Sequence, residues 1–262
     1  MRLFLYITSV VFLLSCKSLV PVNGTSEVNE IQFYVDELAH SYKIAANNTI
    51  VKYDQDGESM FEYSDNTLGP ITSFDVSNPL QVLAFYERFQ TIKIFDRTMN
   101  QTNQIDLNKL DLFEIHVVST SNDNNIWLFD ELNQELLKID KSGKIEGRNN
   151  DLRLRLKKNA APYYIVEYQN KVYLFDEEYG ILIYNNFGEY VTQRAFNATT
   201  DFRYLLGHLF YNIDNDLISY ALEDGSKQNL PLSEDLGNSN NQYILKDKLF
   251  YLEGDKIKMK EL

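Results

Sequence analysis

The sequence predicts an all-β fold made of one repeated four-stranded unit, a β-propeller of six blades, on three observations. A short apolar strand ends six times on a similar tripeptide: Lys52-Tyr53-Asp54, Ile94-Phe95-Asp96, Lys138-Ile139-Asp140, Ile183-Tyr184-Asn185, Ser219-Tyr220-Ala221 and Met259-Lys260-Glu261, at intervals of 36 to 45 residues. The strand before it repeats as Ile126-Trp127-Leu128-Phe129-Asp130, Val172-Tyr173-Leu174-Phe175-Asp176, Leu209-Phe210-Tyr211 and Leu249-Phe250-Tyr251. Composition agrees, since 18 Tyr and 16 Phe against one Trp suit pleated, half-buried strands better than helices. A period of about 40–45 residues with four strands per repeat marks a propeller blade.

The first blade reads as Tyr42 to Ala46, Ile50 to Tyr53 and Met60 to Tyr63, with Asp56-Gly57 turning between the last two. The second runs from Ile71-Thr72-Ser73-Phe74 through Val82 to Tyr86 and Ile92 to Phe95, ending near Ile105. The third is Leu112 to Val118, Ile126 to Asp130, Leu136 to Asp140 and Lys144 to Glu146; the fourth is Tyr163 to Tyr168, Val172 to Asp176, Ile181 to Tyr184 and Tyr190 to Gln193. The fifth is Phe202 to Leu206, Leu209 to Asn212, Leu217 to Tyr220 and Lys227 to Leu230. Ile31 to Val35 is either the innermost strand of the first blade or the outermost of the sixth. Because Leu262 follows directly on the sixth blade's third strand, a ring closed by the N-terminal strand supplies the fourth. Five blades plus an irregular N-terminal segment is the alternative.

Met1-Arg2 and the apolar run Leu3 to Leu14 have the layout of an export signal and are too short for a spanning helix. Leu13-Leu14-Ser15-Cys16 resembles the bacterial lipobox, which implies a signal peptide over 1–15 and lipid on Cys16, the only cysteine. Residues 16–30 contain Pro21 and Gly24 without periodicity and read as a flexible tether, leaving 31–262 as the propeller domain.

The net charge of −13 argues against a nucleic-acid partner, which requires clustered Lys and Arg. The nearest basic group, Arg148, Arg153, Arg155, Lys157 and Lys158, includes the alternation Leu152 to Leu156, read as a strand or blade connection with one solvated face. A docking patch for an acidic partner is its other reading. His40, His116 and His208 fall in different repeats without metal-ligand spacing, and no nucleophile elbow, phosphate loop or dinucleotide fingerprint occurs. Asp54-Gln55-Asp56-Gly57-Glu58 has its glycine too early for a calcium loop and reads as a reverse turn. Neither a cofactor nor a metal is expected. Phe113-Glu114-Ile115-His116 is expected on an innermost strand, equivalent to those bearing Glu167 and Arg203, so Glu114, His116, Glu167 and Arg203 are the channel-facing candidates.

The aromatic-Leu-Phe-Asp strand, the turn, and the apolar strand ending in Asp before a Gly resemble the blades of six-bladed propeller lipoproteins of the Bacteroidota, over about residues 31 to 262. The propeller lipoprotein of the outer-membrane barrel-assembly machinery is a more distant analogue. The resemblance implies a non-catalytic, membrane-tethered scaffold whose partners are other outer-membrane or periplasmic proteins, in an assembly, secretion or uptake complex. Surface-displayed lipoproteins of that group carry an acidic run soon after the cysteine, whereas Lys17-Ser18-Leu19-Val20 follows Cys16 here and the first acid is Glu27. That departure points to the periplasmic face of the outer membrane. The alternative is a sugar-binding or hydrolytic propeller using the channel mouth.

Overall fold

The computed structural model describes residues 32–149, 152–197, 201–213, 216–230, 242–246, 248–254 and 256–261. The expected signal peptide, Cys16, the tether and Ile31 lie outside the described residues. Six antiparallel sheets form the ring, as the repeat predicts. Blade one is β1 (Gln32–Val35), β2 (Ser41–Ile44), β3 (Thr49–Tyr53) and β4 (Ser59–Ser64). Blade two is β5 (Ser73–Asp75), β6 (Val82–Tyr86), β7 (Thr91–Phe95) and β8 (Gln101–Asp106). Blade three is β9 (Ile115–Thr120), β10 (Ile126–Asp130), β11 (Glu135–Ile139) and β12 (Ile145–Asn149). A single helical turn, α1 (Leu152–Arg155), leads to blade four, β13 (Tyr164–Tyr168), β14 (Lys171–Asp176), β15 (Gly180–Asn185) and β16 (Tyr190–Arg194). Blade five is β17 (Arg203–Leu205), β18 (His208–Ile213), β19 (Asp216–Ala221) and β20 (Lys227–Leu230), and blade six is β21 (Gln242–Leu245), β22 (Lys248–Glu253) and β23 (Lys256–Glu261). No helix among the described residues is long and apolar enough to cross a membrane.

The apolar runs fall where both faces of a blade are covered. β6, β7 and β10 are buried along their whole length, while the outermost strands are largely exposed. Between blades two and three, Phe85 and Ile92 pack with Ile126 and Leu128; between four and five, Phe175 and Ile181 pack with Phe202 and Tyr211. The first strands face the axis: β9 touches both β5 and β13, and β17 touches β21.

The repeated Asp has a structural cause. Asp54 Oδ1 accepts the backbone N–H groups of Asp56 and Glu58, Asp96 Oδ1 those of Thr98 and Asn100, and Asp140 Oδ1 those of Ser142 and Lys144, all at 2.8–3.0 Å. Asn185 does the same for Phe187 and Glu189. One carboxylate or carboxamide thus folds the turn from third to fourth strand. Gly57, Gly143 and Gly188 occupy its left-handed position, which Met99 takes in blade two at φ 59°. The Asp54 segment is therefore a reverse turn, as its spacing indicated.

One detail differs from the sequence reading, and two decide between its alternatives. β9 begins at Ile115, so Phe113 and Glu114 are exposed residues of the preceding loop and not part of the strand. The Leu152 to Leu156 alternation is the connection between blades three and four, its residues Leu152–Arg155 forming α1, with Leu152 buried and Leu154 87% exposed. The N-terminal strand β1 pairs with β2, from Gln32 opposite Ile44 to Val35 opposite Ser41, and is innermost in blade one. It meets the last blade through side chains. Phe33 and Val35 pack with Tyr243, Leu245 and Phe250, and Tyr243 Oη donates to the Phe33 carbonyl at 3.0 Å. β1 closes the ring by packing and is not a fourth strand of blade six, which has three described strands. The outer strand β23 carries Lys256, Lys258 and Lys260, residues that discourage edge-to-edge pairing.

Candidate functional site

All six first strands run in the same direction, so each end of the axis gathers their equivalent ends. At the end where they begin, a cavity of about 270 Å³ is lined by Phe74, Glu87, His116, Val117, Tyr163 and Tyr164, among others. His116 leaves β9 pointing toward the turn after β6. Its Nδ1 stands 2.6 Å from Glu87 Oε1 and its Nε2 3.5 Å from Glu131 Oε2. Glu87 belongs to a 3₁₀ turn at Glu87–Phe89, and Glu131 follows β10. Glu114 joins them through its backbone, its carbonyl accepting the Glu131 N–H at 3.1 Å.

Exposed apolar residues stand on the segments that carry or adjoin this group. Gln90 clamps the 3₁₀ turn to β9 by donating to the Ile115 carbonyl at 2.8 Å and accepting the Ile115 N–H at 3.0 Å. Phe89 lies on the clamped turn with its ring toward Gly69, and Phe113 precedes the clamped Ile115 by two residues. Leu132 adjoins Glu131, and the Arg153 guanidinium donates to the Leu132 carbonyl, which brings α1 and Leu154 alongside. Phe89, Phe113, Leu132 and Leu154 are 44%, 52%, 50% and 87% exposed.

Further along the axis, Tyr34, Tyr164, Tyr204 and Tyr243 come from four different first strands. Tyr34 lies edge-on to Phe74 at 5.3 Å, and Tyr164 lies 6.5 Å from Tyr204. Burial pushes the Tyr34 hydroxyl up to about 12 and raises that of Tyr164 well above its ordinary value. Arg203 sits beside Tyr243 and Tyr34, with its Nη1 3.0 Å from Asp201 Oδ1. Side chains therefore occupy the axis between its ends.

The opposite end holds a second cavity of about 430 Å³, lined by Glu37, Asn78, Asn122, Glu167, Tyr168, Gln169 and Tyr204, with others from the turns that follow the first strands. Glu167 is buried here and turned between blades. Its carboxylate accepts from Trp127 Nε1 at 2.6 Å, Ser121 Oγ at 2.5 Å, and the backbone N–H and Nδ2 of Asn122 at 3.2 Å. The four channel candidates do not converge. Glu114 and His116 share one end, Arg203 is held among the axial tyrosines, and Glu167 lies at the other end. Among the described residues no group of three or more His, Cys, Asp or Glu side chains is arranged to hold a metal.

No family model matches the chain, and no curated protein matches it. Solved structures do. It is similar to virginiamycin B lyase from Staphylococcus aureus at 13% identity, covering 91% of this chain and 86% of that one with a TM-score of 0.55. A streptogramin B lyase structure matches at 13% identity over 89% and 83% of the two chains, TM-score 0.55. BamB from Moraxella catarrhalis matches at 11% identity over 88% and 82%, TM-score 0.50. At such identities the likeness is one of fold, the β-propeller.

Several residues of both ends were not evident from spacing. Glu87 and Glu131 reach His116 from turns after two different second strands, a relationship visible only once the blades are in place. Phe89, Phe113, Leu132 and Leu154 did leave a signal, since large apolar residues stand where connecting segments are ordinarily polar. The basic group is mostly engaged within the chain. Arg148 pairs with Glu135 at 2.7 Å, Lys158 with Glu178 at 2.8 Å, and Arg155 lies over the Tyr190 ring at 5.3 Å.

Proposed function

We propose that this chain is a lipid-anchored, non-catalytic protein-binding propeller, a subunit of an outer-membrane assembly, secretion or uptake complex held at the periplasmic face through Cys16. The observation that carries the binding role is the exposure of Phe113, Leu132 and Leu154 on segments linked by hydrogen bonds beside Glu131, which with Glu87 flanks His116. Apolar side chains grouped on a surface and edged by charge mark association sites. The partner that fits is a protein segment whose aliphatic or aromatic residues cover these side chains and whose Lys or Arg meets the acids Glu87, Glu114 and Glu131. The fold likeness to BamB from Moraxella catarrhalis is compatible with this reading.

A photo-crosslinking amino acid at position 154 of the exported protein identifies the partner, with the exposed outer-strand position 192 as control. Binding of that purified partner is expected to weaken about a hundredfold when Phe113 and Leu154 are both changed to Glu, as loss of two central anchors does. Equal crosslinking at 154 and 192, or undiminished binding by the double variant, overturns the proposal.

A further inference from the structure

The cavity at the end remote from His116 points to a different ligand. We infer that it is a binding site for a neutral sugar of one or two units. Its volume of about 430 Å³ falls within the roughly 300–1,000 Å³ usual for small-molecule sites. Two tyrosine rings, Tyr168 and Tyr204, contribute to its wall and supply apolar faces for a pyranose ring. Among the described residues, the carboxylate of Glu37 and the side-chain oxygen of Gln169 have no hydrogen-bond partner, so both remain available to sugar hydroxyls. Asn122 is oriented by its Nδ2 bond to Glu167, which leaves its oxygen as a further acceptor.

Other ligand classes fit less well. Among the described residues no Lys or Arg lines the cavity, so a phosphate or carboxylate finds no counter-charge from them. The second lining carboxylate, Glu167, is already engaged by Trp127, Ser121 and Asn122, which leaves Glu37 alone to face a cation. A lipid tail meets a wall with more polar than apolar groups. Hydroxyl-rich, uncharged and cyclic is the chemistry that remains.

The rings are also held in place before any ligand arrives. Gly207 lies at φ 80°, and a Cβ there would stand 2.3 Å from Tyr168 Cε1, so the Tyr168 ring packs directly on glycine backbone. The Tyr204 ring packs beside that of Tyr164, their centroids 6.5 Å apart. Preorganised aromatic walls reduce the ordering cost of binding.

Isothermal titration calorimetry and saturation-transfer NMR on the folded chain would use glucose, N-acetylglucosamine, maltose and cellobiose, with glucose 6-phosphate as a charged control. Saturable binding of at least one neutral sugar is expected, weakened about tenfold or more by Gln169→Ala and by Glu37→Gln. Both positions are exposed, and circular dichroism verifies that each variant is folded. Thr192→Ala, on the exposed outer strand β16, is expected to leave sugar binding unchanged. Absence of saturable binding by all four sugars, equal binding by both cavity variants, or tighter binding of glucose 6-phosphate than of glucose overturns the assignment.

Discussion

Trp127 of the third blade donates its indole N–H to the buried carboxylate of Glu167 in the fourth, at 2.6 Å. The same carboxylate accepts from Ser121 and Asn122, so one glutamate collects the donors at the junction of two blades. Glu167→Gln turns an acceptor oxygen into a donor facing other donors. It is expected to lower stability by about 1–3 kcal/mol, and Trp127→Phe, with its smaller loss of one donor, by about 1 kcal/mol beyond its packing change. Guanidinium unfolding followed by circular dichroism measures both; a Glu167→Gln midpoint equal to wild type would contradict the account.

Gly207 and Gly57 provide a matched pair. Both have positive φ, 80° and 83°, yet a Cβ at Gly57 meets nothing within 4 Å while one at Gly207 collides with Tyr168. Gly57→Ala should cost about 1 kcal/mol of backbone strain. Gly207→Ala should cost clearly more, the excess reporting the collision. Equal losses in parallel thermal melts would show that the Tyr168 ring moves aside freely.

Lys93 is buried in blade two and ion-paired with Asp65, while its Nζ donates to Tyr63 Oη at 2.9 Å. The hydrogen bond from Lys93, with those from Thr67, lowers the Asp65 carboxyl from 3.8 to about 2. A carboxyl depressed in the folded state stabilises at pH values above its unfolded pKa. The contribution, about 1–2 kcal/mol after allowance for solvent screening, is complete above about pH 5 and fades as pH falls through 4 toward 2. Asp65→Asn should therefore be less stable than wild type at pH 7, with the gap narrowing in acid. Urea midpoints across that range test it, and a gap that widens below pH 4 would refute the pairing.

At the ring seam, Tyr243→Phe removes the hydroxyl that donates to the Phe33 carbonyl and should cost about 1 kcal/mol. Tyr243→Ala also empties an edge-on contact with Phe33, whose ring centroid lies 5.4 Å away, and should cost about 3–5 kcal/mol. Deleting residues 32–35 exposes the β2 edge and uncovers this cluster, so aggregation or strand exchange is expected. Light scattering and melting of the deletion variant decide the point: a monomer with unchanged melting temperature rules out a structural seam.

For the proposed anchor, Cys16→Ser is expected to abolish fatty-acid labelling and to leave the signal uncleaved, moving the protein out of the lipid-anchored fraction. Wild-type protein without fatty-acid label would exclude a lipoprotein.

The blades were legible because their repeat has a chemical cause. Asp54, Asp96 and Asp140 recur because each carboxylate folds the turn after its strand, and Trp127 and Tyr173 recur because second strands are covered on both faces. First strands were less legible. Phe113 and Glu114 continue the alternation of β9, yet the partner strand β10 ends at Asp130, opposite Ile115. His116 was identifiable as a residue near the axis, but Glu87 and Glu131 come to it from separate turns with no fixed spacing. Glu167 looked equivalent to His116 by strand, whereas its position nearer the end of β13 sends it to the opposite mouth and into the embrace of Trp127.

The seam between Phe33 and Tyr243 also has a consequence in time. These residues are 210 positions apart, so nearly the whole chain must be made before they can meet. Blades one to five can each assemble from local hairpins, but closure joins distant segments and carries the largest loop-entropy cost. It is expected to be the late step of folding. Until Tyr243 and Phe250 arrive, Phe33, Val35 and Phe210 lack their covering blade, and that interval is when the chain is most open to self-association.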